Sequence, residues 1–287
     1  MEKYYCFAGV EISVCIPDKW MYEEDRQLAP FRVTQVEKPE RFIFEPVEAL
    51  SAPTGRLEVL LPGVRVYRED EGYVRYIGSV ENGWENGYIR VSCGDKEHHV
   101  QVRVNDRIPY IGAKTVLNAL MGEHLVAEHD GFVFHCSYID YEGKAILFTA
   151  PSGTGKSTQA ELWREYRGAD IINGDRAAVC RNGGLFAQGI PFSGSSAYCV
   201  NRTLPLTAIV YLRQAPSIGI RKLRGMEAFS RIWEGVSVNA WDRQDVERVS
   251  DVVLQAATEI PVYHLACTPD ESAVNALEDT LRKQGLL

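Results

Sequence analysis

The chain has 287 residues, of which 45% are hydrophobic and 24% charged, and it carries a formal net charge of −8 at pH 7. This composition supplies enough apolar material for one large globular domain or two ordinary ones. The acidic balance argues against nucleic acid as a partner, because proteins that bind a phosphate backbone carry a basic face.

Cysteine usage and the N-terminal segment favour a cytoplasmic protein. The seven cysteines are odd in number and never spaced as C-x-x-C, so we predict neither a disulfide framework nor a thiolate zinc site. No basic segment leads into an apolar run at the N-terminus, and no stretch approaches about 18 consecutive apolar residues. We therefore expect neither a signal peptide nor a membrane span.

The first part of the chain, residues 1–110, is predicted to form a smaller antiparallel β-rich domain. It contains short runs of β-branched and aromatic residues separated by turn signals such as Pro62-Gly63, Glu71-Gly72 and Asn82-Gly83. The predicted strands cover residues 5–16, 56–61, 64–67, 73–77, 88–92 and 99–104. We expect this domain to serve substrate recognition.

The second part, residues 111–287, is predicted to form an α/β domain because strands alternate with helices. Apolar residues at three- and four-residue intervals predict an opening helix over residues 113–128. The further predicted strands cover residues 131–138, 144–149, 169–172 and 206–212. The further predicted helices cover residues 156–166, 242–257 and 271–282.

A glycine-rich segment, residues 150–158, lies between a predicted strand and a predicted helix. It follows the phosphate-loop pattern G-x-x-x-x-G-K-[ST] except that the first glycine is Ala150. Gly153 and Gly155 permit positive φ, Lys156 can reach the β- and γ-phosphates, and Ser157 can offer its hydroxyl to Mg²⁺. We predict that ATP or another nucleoside triphosphate is bound by Ser152, Gly153, Thr154, Gly155, Lys156, Ser157 and Thr158.

Phosphoryl transfer also needs a carboxylate that holds the metal or takes the hydroxyl proton. Asp175 follows the short strand that comes after the helix of the loop, so both motifs are expected at the same edge of the sheet. We predict Asp175 as a catalytic residue and, together with Ser157, as a metal ligand. The competing interpretation is a solvent-facing turn aspartate after Asn173-Gly174.

These pieces resemble the C-terminal catalytic domain of the HPr kinase/phosphorylase family, which is related to phosphoenolpyruvate carboxykinases. The resemblance runs from about residue 117 to the C-terminus. Within this family, the sequence is most similar to the HPr-kinase-like proteins of peptide-modification gene clusters. The short spacing from Lys156 to Asp175 and the Gly-Ile-Pro-Phe-Ser-Gly segment separate this family from other phosphate-loop proteins. The matching segments are residues 134–137, 144–158, 173–176, 189–194, 205–212 and 262–270.

The resemblance implies a P-loop fold and a serine or other hydroxyl kinase that uses ATP and Mg²⁺. Lys156 and Ser157 match the family directly. His135 matches a histidine that faces the γ-phosphate in the family, although a lone histidine in an apolar strand also fits a core residue. Arg202 is a candidate for neutralising charge on the transferring phosphoryl group, with a solvated surface arginine as the alternative.

Two positions depart from the family pattern. Two adjacent aspartates are replaced here by Gly174-Asp175, and a lysine after the Gly-Ile-Pro-Phe-Ser-Gly segment is replaced by Ser195. Either Asp175 performs both tasks, or His135 substitutes, or the protein binds nucleotide without efficient transfer.

The preferred function is therefore an ATP-dependent kinase acting on a hydroxyl, such as the serine of a peptide or protein. The alternatives are a nucleotide-binding regulatory or scaffold protein that has lost transfer, and a small-molecule kinase. The sequence leaves the acceptor, the nucleotide and the formation of a homo-oligomer open.

No zinc site is predicted. His124 and His129 are five residues apart, which does not fit the i, i+4 spacing of helical zinc motifs, so both are interpreted as surface residues. His98 and His99 are adjacent in a predicted strand and should point to opposite faces.

Overall fold

The computed structural model describes residues 1–18, 20–70, 72–104 and 110–287, with only the backbone at Tyr110. The chain forms two compact units, Met1–Met121 and Gly122–Leu287. The mixed α/β class is confirmed, with several sheets and six α-helices in the described part. None of these helices has the length and apolar character needed to cross a bilayer.

The described residues of the first unit form strands, one α-helix and two short 3-10 helices. In chain order the strands and the α-helix are β1 (Glu2–Phe7), β2 (Val10–Cys15), β3 (Met21–Glu23), β4 (Arg32–Val33), β5 (Glu40–Val47), β6 (Arg56–Leu61), β7 (Val64–Glu69), β8 (Gly72–Gly78), β9 (Gly87–Cys93), β10 (Glu97–Arg103), β11 (Tyr110–Gly112) and α1 (Ala113–Ala119). A nine-stranded sheet has the order β4-β1-β2-β5-β10-β9-β8-β7-β6, and β3 pairs with β11.

The prediction of an antiparallel first domain is wrong at β5 and at the pair β3–β11, which is parallel. β5 pairs in parallel with both β2 and β10. The pattern missed it because Pro46 and several charged residues interrupt the run, although Phe42 and Phe44 are buried. The predicted strand over 5–16 is a hairpin that turns at Ala8 and Gly9, both with positive φ. The turn predicted at 71–72 includes Glu71, which lies outside the described residues.

The second unit alternates helices and strands. In chain order these are α2 (Gly122–Glu128), β12 (Gly131–Tyr141), β13 (Lys144–Thr149), α3 (Lys156–Arg167), β14 (Asp170–Asn173), β15 (Arg176–Arg181), β16 (Leu185–Gln188), β17 (Thr203–Gln214), β18 (Gly219–Leu223), α4 (Gly225–Trp233), β19 (Val236–Ser237), α5 (Arg243–Glu259), β20 (Val262–Cys267) and α6 (Glu271–Lys283). The helix predicted over 113–128 is two helices, because Met121 has a φ of 40° and cannot continue the first one.

Apolar side chains cover both faces of the second unit's sheet. One face packs against α4 and α5, with Ile209, Ile232 and Val253 among the buried residues. The other face packs against α3 and α6 through residues such as Trp163 and Leu277. β13 and β20 both lie parallel to β17, so the carboxyl ends of the three strands meet at one edge.

The long strand β12 changes partners in its middle. Residues up to His135 pair with β15, whereas residues from Cys136 onwards pair with β13. His135 thus pairs with Arg176, and Cys136 pairs with Thr149, the last residue of β13. This switch brings the end of β13 and the start of β15 to the same point of β12.

Candidate functional site

The glycine-rich loop joins the end of β13 to the start of α3. Gly153 and Gly155 have φ values of +77° and +114°, a region that side chains disfavour, so glycine is required at both positions. α3 begins without a side-chain cap on its first N–H groups. The open amides of a helix N-terminus favour an anion, and Ser157 and Thr158 are exposed there.

The Lys156 side chain bridges the loop. Its Nζ donates hydrogen bonds to the carbonyl oxygens of Ala150 at 3.0 Å and Pro151 at 3.4 Å. Burial lowers the pKa of Lys156, and the negative charge of Asp175 opposes this shift. The ammonium group is therefore held inside the loop, where a phosphate would compete with the carbonyl groups for it.

Asn173, at the end of β14, shapes the turn that carries Asp175. Its buried Oδ1 accepts hydrogen bonds from the backbone N–H of Asp175 at 2.9 Å and of Arg176 at 3.0 Å. The Gly174 carbonyl in this turn accepts a hydrogen bond from the Ser157 hydroxyl at 3.3 Å. The turn and the first residues of α3 are therefore in direct contact.

The Asp175 carboxylate lies between the imidazole of His135 and the guanidinium group of Arg176. Its Oδ1 is 3.3 Å from His135 Nε2, and its Oδ2 is 3.4 Å from Arg176 Nε. The hydrogen bond from His135 is the main reason that the pKa of Asp175 lies below its usual value, and the charges of Arg176 and Lys156 act in the same direction. Asp175 is therefore ionised at neutral pH.

The chain that follows β16 packs closely against Gly174 and against one side of Asp175. A Cβ atom at Gly174 would lie 2.4 Å from the Ser196 Oγ. At Gly194, with a φ of +54°, a Cβ would lie 2.7 Å from the Asp175 Oδ2. Ser196 Oγ accepts a hydrogen bond from the Tyr198 N–H at 3.1 Å, which holds it in place. Ser196 thus occupies the position where a second carboxylate at 174 would begin.

Arg202 is not brought to this group. It forms ion pairs with Asp140 at 2.8 Å and Asp170 at 2.9 Å, at the beginning of β14, whereas Asp175 follows the end of that strand. Asp140 is five residues beyond His135 in β12, which corresponds to about 16 Å in an extended strand. Arg202 therefore links β12 to β14 through two ion pairs and does not contact Asp175.

Two cavities open beside the loop and the Asp175 turn. One of 540 Å³ is bordered by loop residues, by Gln159, and by residues 212–215 and 267–269 at the ends of β17 and β20. The other, of 380 Å³, is bordered by Ser157, Glu161, Asp175 and residues 195–198. The sequence analysis missed Gln214, whose side chain donates to the Thr154 carbonyl at 3.3 Å, and Tyr198, whose hydroxyl donates to Glu161. Gln214 reaches the loop because β17 extends three residues beyond Tyr211, the partner of the last residue of β13. The length of this strand was the sequence signal that could have identified Gln214.

The surface interpretation of His124 is wrong. Its Nδ1 lies 2.9 Å from Oδ1 of the buried Asp245, and with Asp242 the three side chains place ligand atoms within 4.8 Å of one another. Asp242 caps α5 by accepting from the backbone of Asp245, and Asn239 donates to Asp245. Because protein donors engage both carboxylates, this group is a link between α2 and α5.

The chain has only a low similarity to known proteins. No protein-family model matches the chain, and no curated protein matches it. Among solved structures it is similar to the Hpr(Ser) kinase/phosphatase from Coxiella burnetii, with a TM-score of 0.35 and 10% sequence identity. The match covers 53% of this chain and 97% of that chain. Similarity at this level decides neither the fold nor the activity.

Proposed function

We propose that the second unit is an ATP-dependent kinase that transfers the γ-phosphoryl group to a hydroxyl, such as the serine of a peptide or protein. The observation that carries the proposal is the contact between the loop and the Asp175 turn. Ser157 donates to the Gly174 carbonyl, and the neighbouring Asp175 carboxylate contacts His135. These contacts support the proposal because they bring backbone amides, a lysine, a hydroxyl, a carboxylate and an imidazole close to one another.

The first role in this proposal is to hold the triphosphate. The N–H groups at the start of α3 and the Lys156 ammonium bind the phosphate oxygens. The Ser157 hydroxyl and the Asp175 carboxylate are hard oxygen donors of the kind that Mg²⁺ prefers, so the residues present fit this ion. Bound Mg²⁺ would neutralise charge on the phosphates. The nucleoside would extend into the 540 Å³ cavity that adjoins the loop.

The second role is proton transfer. The acceptor oxygen forms a bond to the γ-phosphorus, the bond from that phosphorus to the β-bridging oxygen breaks, and ADP leaves. Because its pKa is lowered, Asp175 is a weak proton acceptor by itself. We assign the hydroxyl proton to His135, with Asp175 orienting the imidazole and stabilising the imidazolium. Most of the rate would come from positioning and charge neutralisation.

A second candidate function is a nucleotide-binding regulatory protein without efficient transfer. The observation that favours it is the position of Ser196, which fills the space that a second carboxylate at 174 would need. The small-molecule kinase alternative shares the chemistry of the first proposal and differs in the acceptor.

The test is single-turnover transfer from γ-labelled ATP to a serine peptide library and to a metabolite mixture. The kinase proposal expects label on a hydroxyl, with loss of both Mg²⁺-nucleotide binding and transfer in Lys156→Ala. The matched control is Lys283→Ala, at the end of α6. Nucleotide binding that depends on Lys156, without transfer to any acceptor, would instead support the regulatory function.

A further inference from the structure

A group of basic and aromatic side chains lies beyond the loop on the α4 side of the sheet. Strand register places Tyr211 of β17 next to His264 of β20, and His264 next to Arg221 of β18. Arg213 is two residues beyond Tyr211, so it points to the same face. Arg231 of α4 covers this group, with its guanidinium carbon 4.8 Å from the centre of the Tyr211 ring.

These side chains form one wall of a cavity of 630 Å³. Loop residues 151–154 form another wall. The cavity that we assign to the nucleoside shares Gly153, Thr154 and residues 212–214 with it, and extends from there to residues of α3. In β17, Leu212 packs in the apolar layer of α3 and α6, and Tyr211 and Arg213 alternate with it. The two cavities therefore meet at the loop and the end of β17, and Arg221, Arg231 and His264 border only the cavity of 630 Å³.

The charge in this cavity is positive although the whole chain is acidic. Arg221 pairs with Glu227, and Arg231 pairs with Glu234 at 2.6 Å. Arg213 forms no ion pair with a carboxylate within the part of the chain that the structure describes. Burial and the charges of the three arginines lower the pKa of His264. The cavity thus has guanidinium groups in excess over carboxylates.

We propose that this cavity, formed by Arg213, Arg221, Arg231 and His264, binds an anionic group, a carboxylate or a phosphate, carried by the acceptor. The proposal deepens the kinase function and rests on it. Arginine is suited to this task because its planar fork of N–H donors matches both groups. The backbone amides of the loop and Lys156 already supply donors for the triphosphate, so the arginine cavity is available to the second substrate. An acidic acceptor would then be preferred over a neutral one.

The experiment measures binding of three serine peptides to the full chain by calorimetry, with and without Mg²⁺ and a non-hydrolysable ATP analogue. The peptides differ only in their flanking residues, which are glutamate, phosphoserine or glutamine. We expect at least one anionic peptide to bind about tenfold more tightly than the glutamine peptide, as expected for charge-assisted hydrogen bonds. The glutamate and phosphoserine arms separate the two anions.

The preference should disappear in Arg221→Gln and in Arg231→Gln, while the affinity for the ATP analogue stays unchanged, because neither arginine borders the cavity assigned to the nucleoside. Arg243→Gln removes the same charge from an exposed position of α5 and should keep the preference. Thermal unfolding of each variant checks that it is folded. Equal binding of all three peptides would overturn the proposal. It would also be overturned if the variants weakened analogue binding as strongly as peptide binding, because the arginines would then belong to the nucleotide site.

The outcome is distinguishable from failure of the kinase function itself. If the analogue does not bind and no phosphoryl group is transferred, the kinase proposal fails even if the arginine-dependent peptide preference is present. If transfer occurs without any preference for acidic acceptors, the kinase proposal stands and the arginine cavity has no role in acceptor binding.

Discussion

The pair Glu40–His98 in the first unit and the pair Asp175–His135 in the second have the same chemistry and different surroundings. The carboxylate and the imidazole nitrogen are 3.2 Å apart in the first pair and 3.3 Å apart in the second. The side chains of Glu40 and His98 are each 4% exposed, whereas those of His135 and Asp175 are 39% and 29% exposed. Burial is thus what separates the two pairs.

The difference in burial leads to different roles. Burial opposes the ionisation of Glu40, but hydrogen bonds from His98 and Lys96 still hold its pKa below the usual value. A buried carboxylate that loses its partners destabilises the fold strongly, whereas an exposed pair contributes little. We therefore expect Glu40 to matter for stability and Asp175 to matter for chemistry.

The largest expected effect is on phosphoryl transfer in Asp175→Asn. Loss of the negative charge removes the proposed metal ligand and the proposed partner of a His135 imidazolium, so we expect the single-turnover rate to fall about 10³-fold. Stability in urea should change by less than about 1 kcal/mol because the pair is partly exposed. Asp130→Asn, which removes a carboxylate paired with Arg181 at an exposed position, is the control and should transfer normally. A normal rate in Asp175→Asn would contradict the proposed role.

The second effect concerns stability. Glu40→Gln leaves His98 and Lys96 without their anionic partner, and we expect a loss of about 3 kcal/mol in the free energy of unfolding, measured in urea. Binding of Mg²⁺-nucleotide to the folded protein should not change. Glu97→Gln removes an exposed carboxylate that pairs with Arg41, so it should cost less than about 1 kcal/mol. Equal losses in the two variants would show that burial does not separate these pairs.

A third effect tests the space beside Asp175. Gly174→Ala places a Cβ against Ser196, and we expect a loss of about 1 kcal/mol from overpacking together with weaker transfer. The double variant Gly174→Ala/Ser196→Gly should recover most of this loss. Gly184→Ala is the control, because its Cβ would meet only the Phe186 ring at 3.7 Å. The steric explanation fails if the double variant is no better than the single one.

The smallest effect is a change in pH dependence. The hydrogen bond from His135 lowers the pKa of Asp175 in the folded protein. The stability that the ionised carboxylate contributes is therefore fully present above the unfolded-state pKa of Asp175, and it is lost as the pH falls through the folded-state pKa. His135→Gln weakens this interaction and should raise the pKa of Asp175. Loss of Mg²⁺-nucleotide affinity on acidification should then begin at higher pH. His129→Gln should leave the profile unchanged, and an unshifted profile in His135→Gln would refute the coupling.

Local patterns were sufficient where neighbours in the chain decide the structure. The strand over 144–149 and the helix that begins at Lys156 were predicted because apolar periodicity and the glycines act within a few residues. The sequence also placed Asp175 near the loop, since a short strand after the helix returns to the same edge. The hydrophobic pattern did not predict β5, because Pro46 interrupts the alternation of apolar and polar residues. It also did not predict the break at Met121, where a positive φ divides a continuous apolar stripe into two helices.

The sequence by itself therefore determined the phosphate-loop pattern, the α/β character of the second part and the identity of its candidate acidic residue. Only the tertiary structure decided that Ser196 fills the space beside Gly174, that Arg202 pairs away from Asp175, and that arginines of β17, β18 and α4 share one cavity. These features depend on strand register and on contacts between residues distant in the chain. Hydrophobic periodicity records which face of an element is buried, but it carries no information about which distant side chain lies opposite.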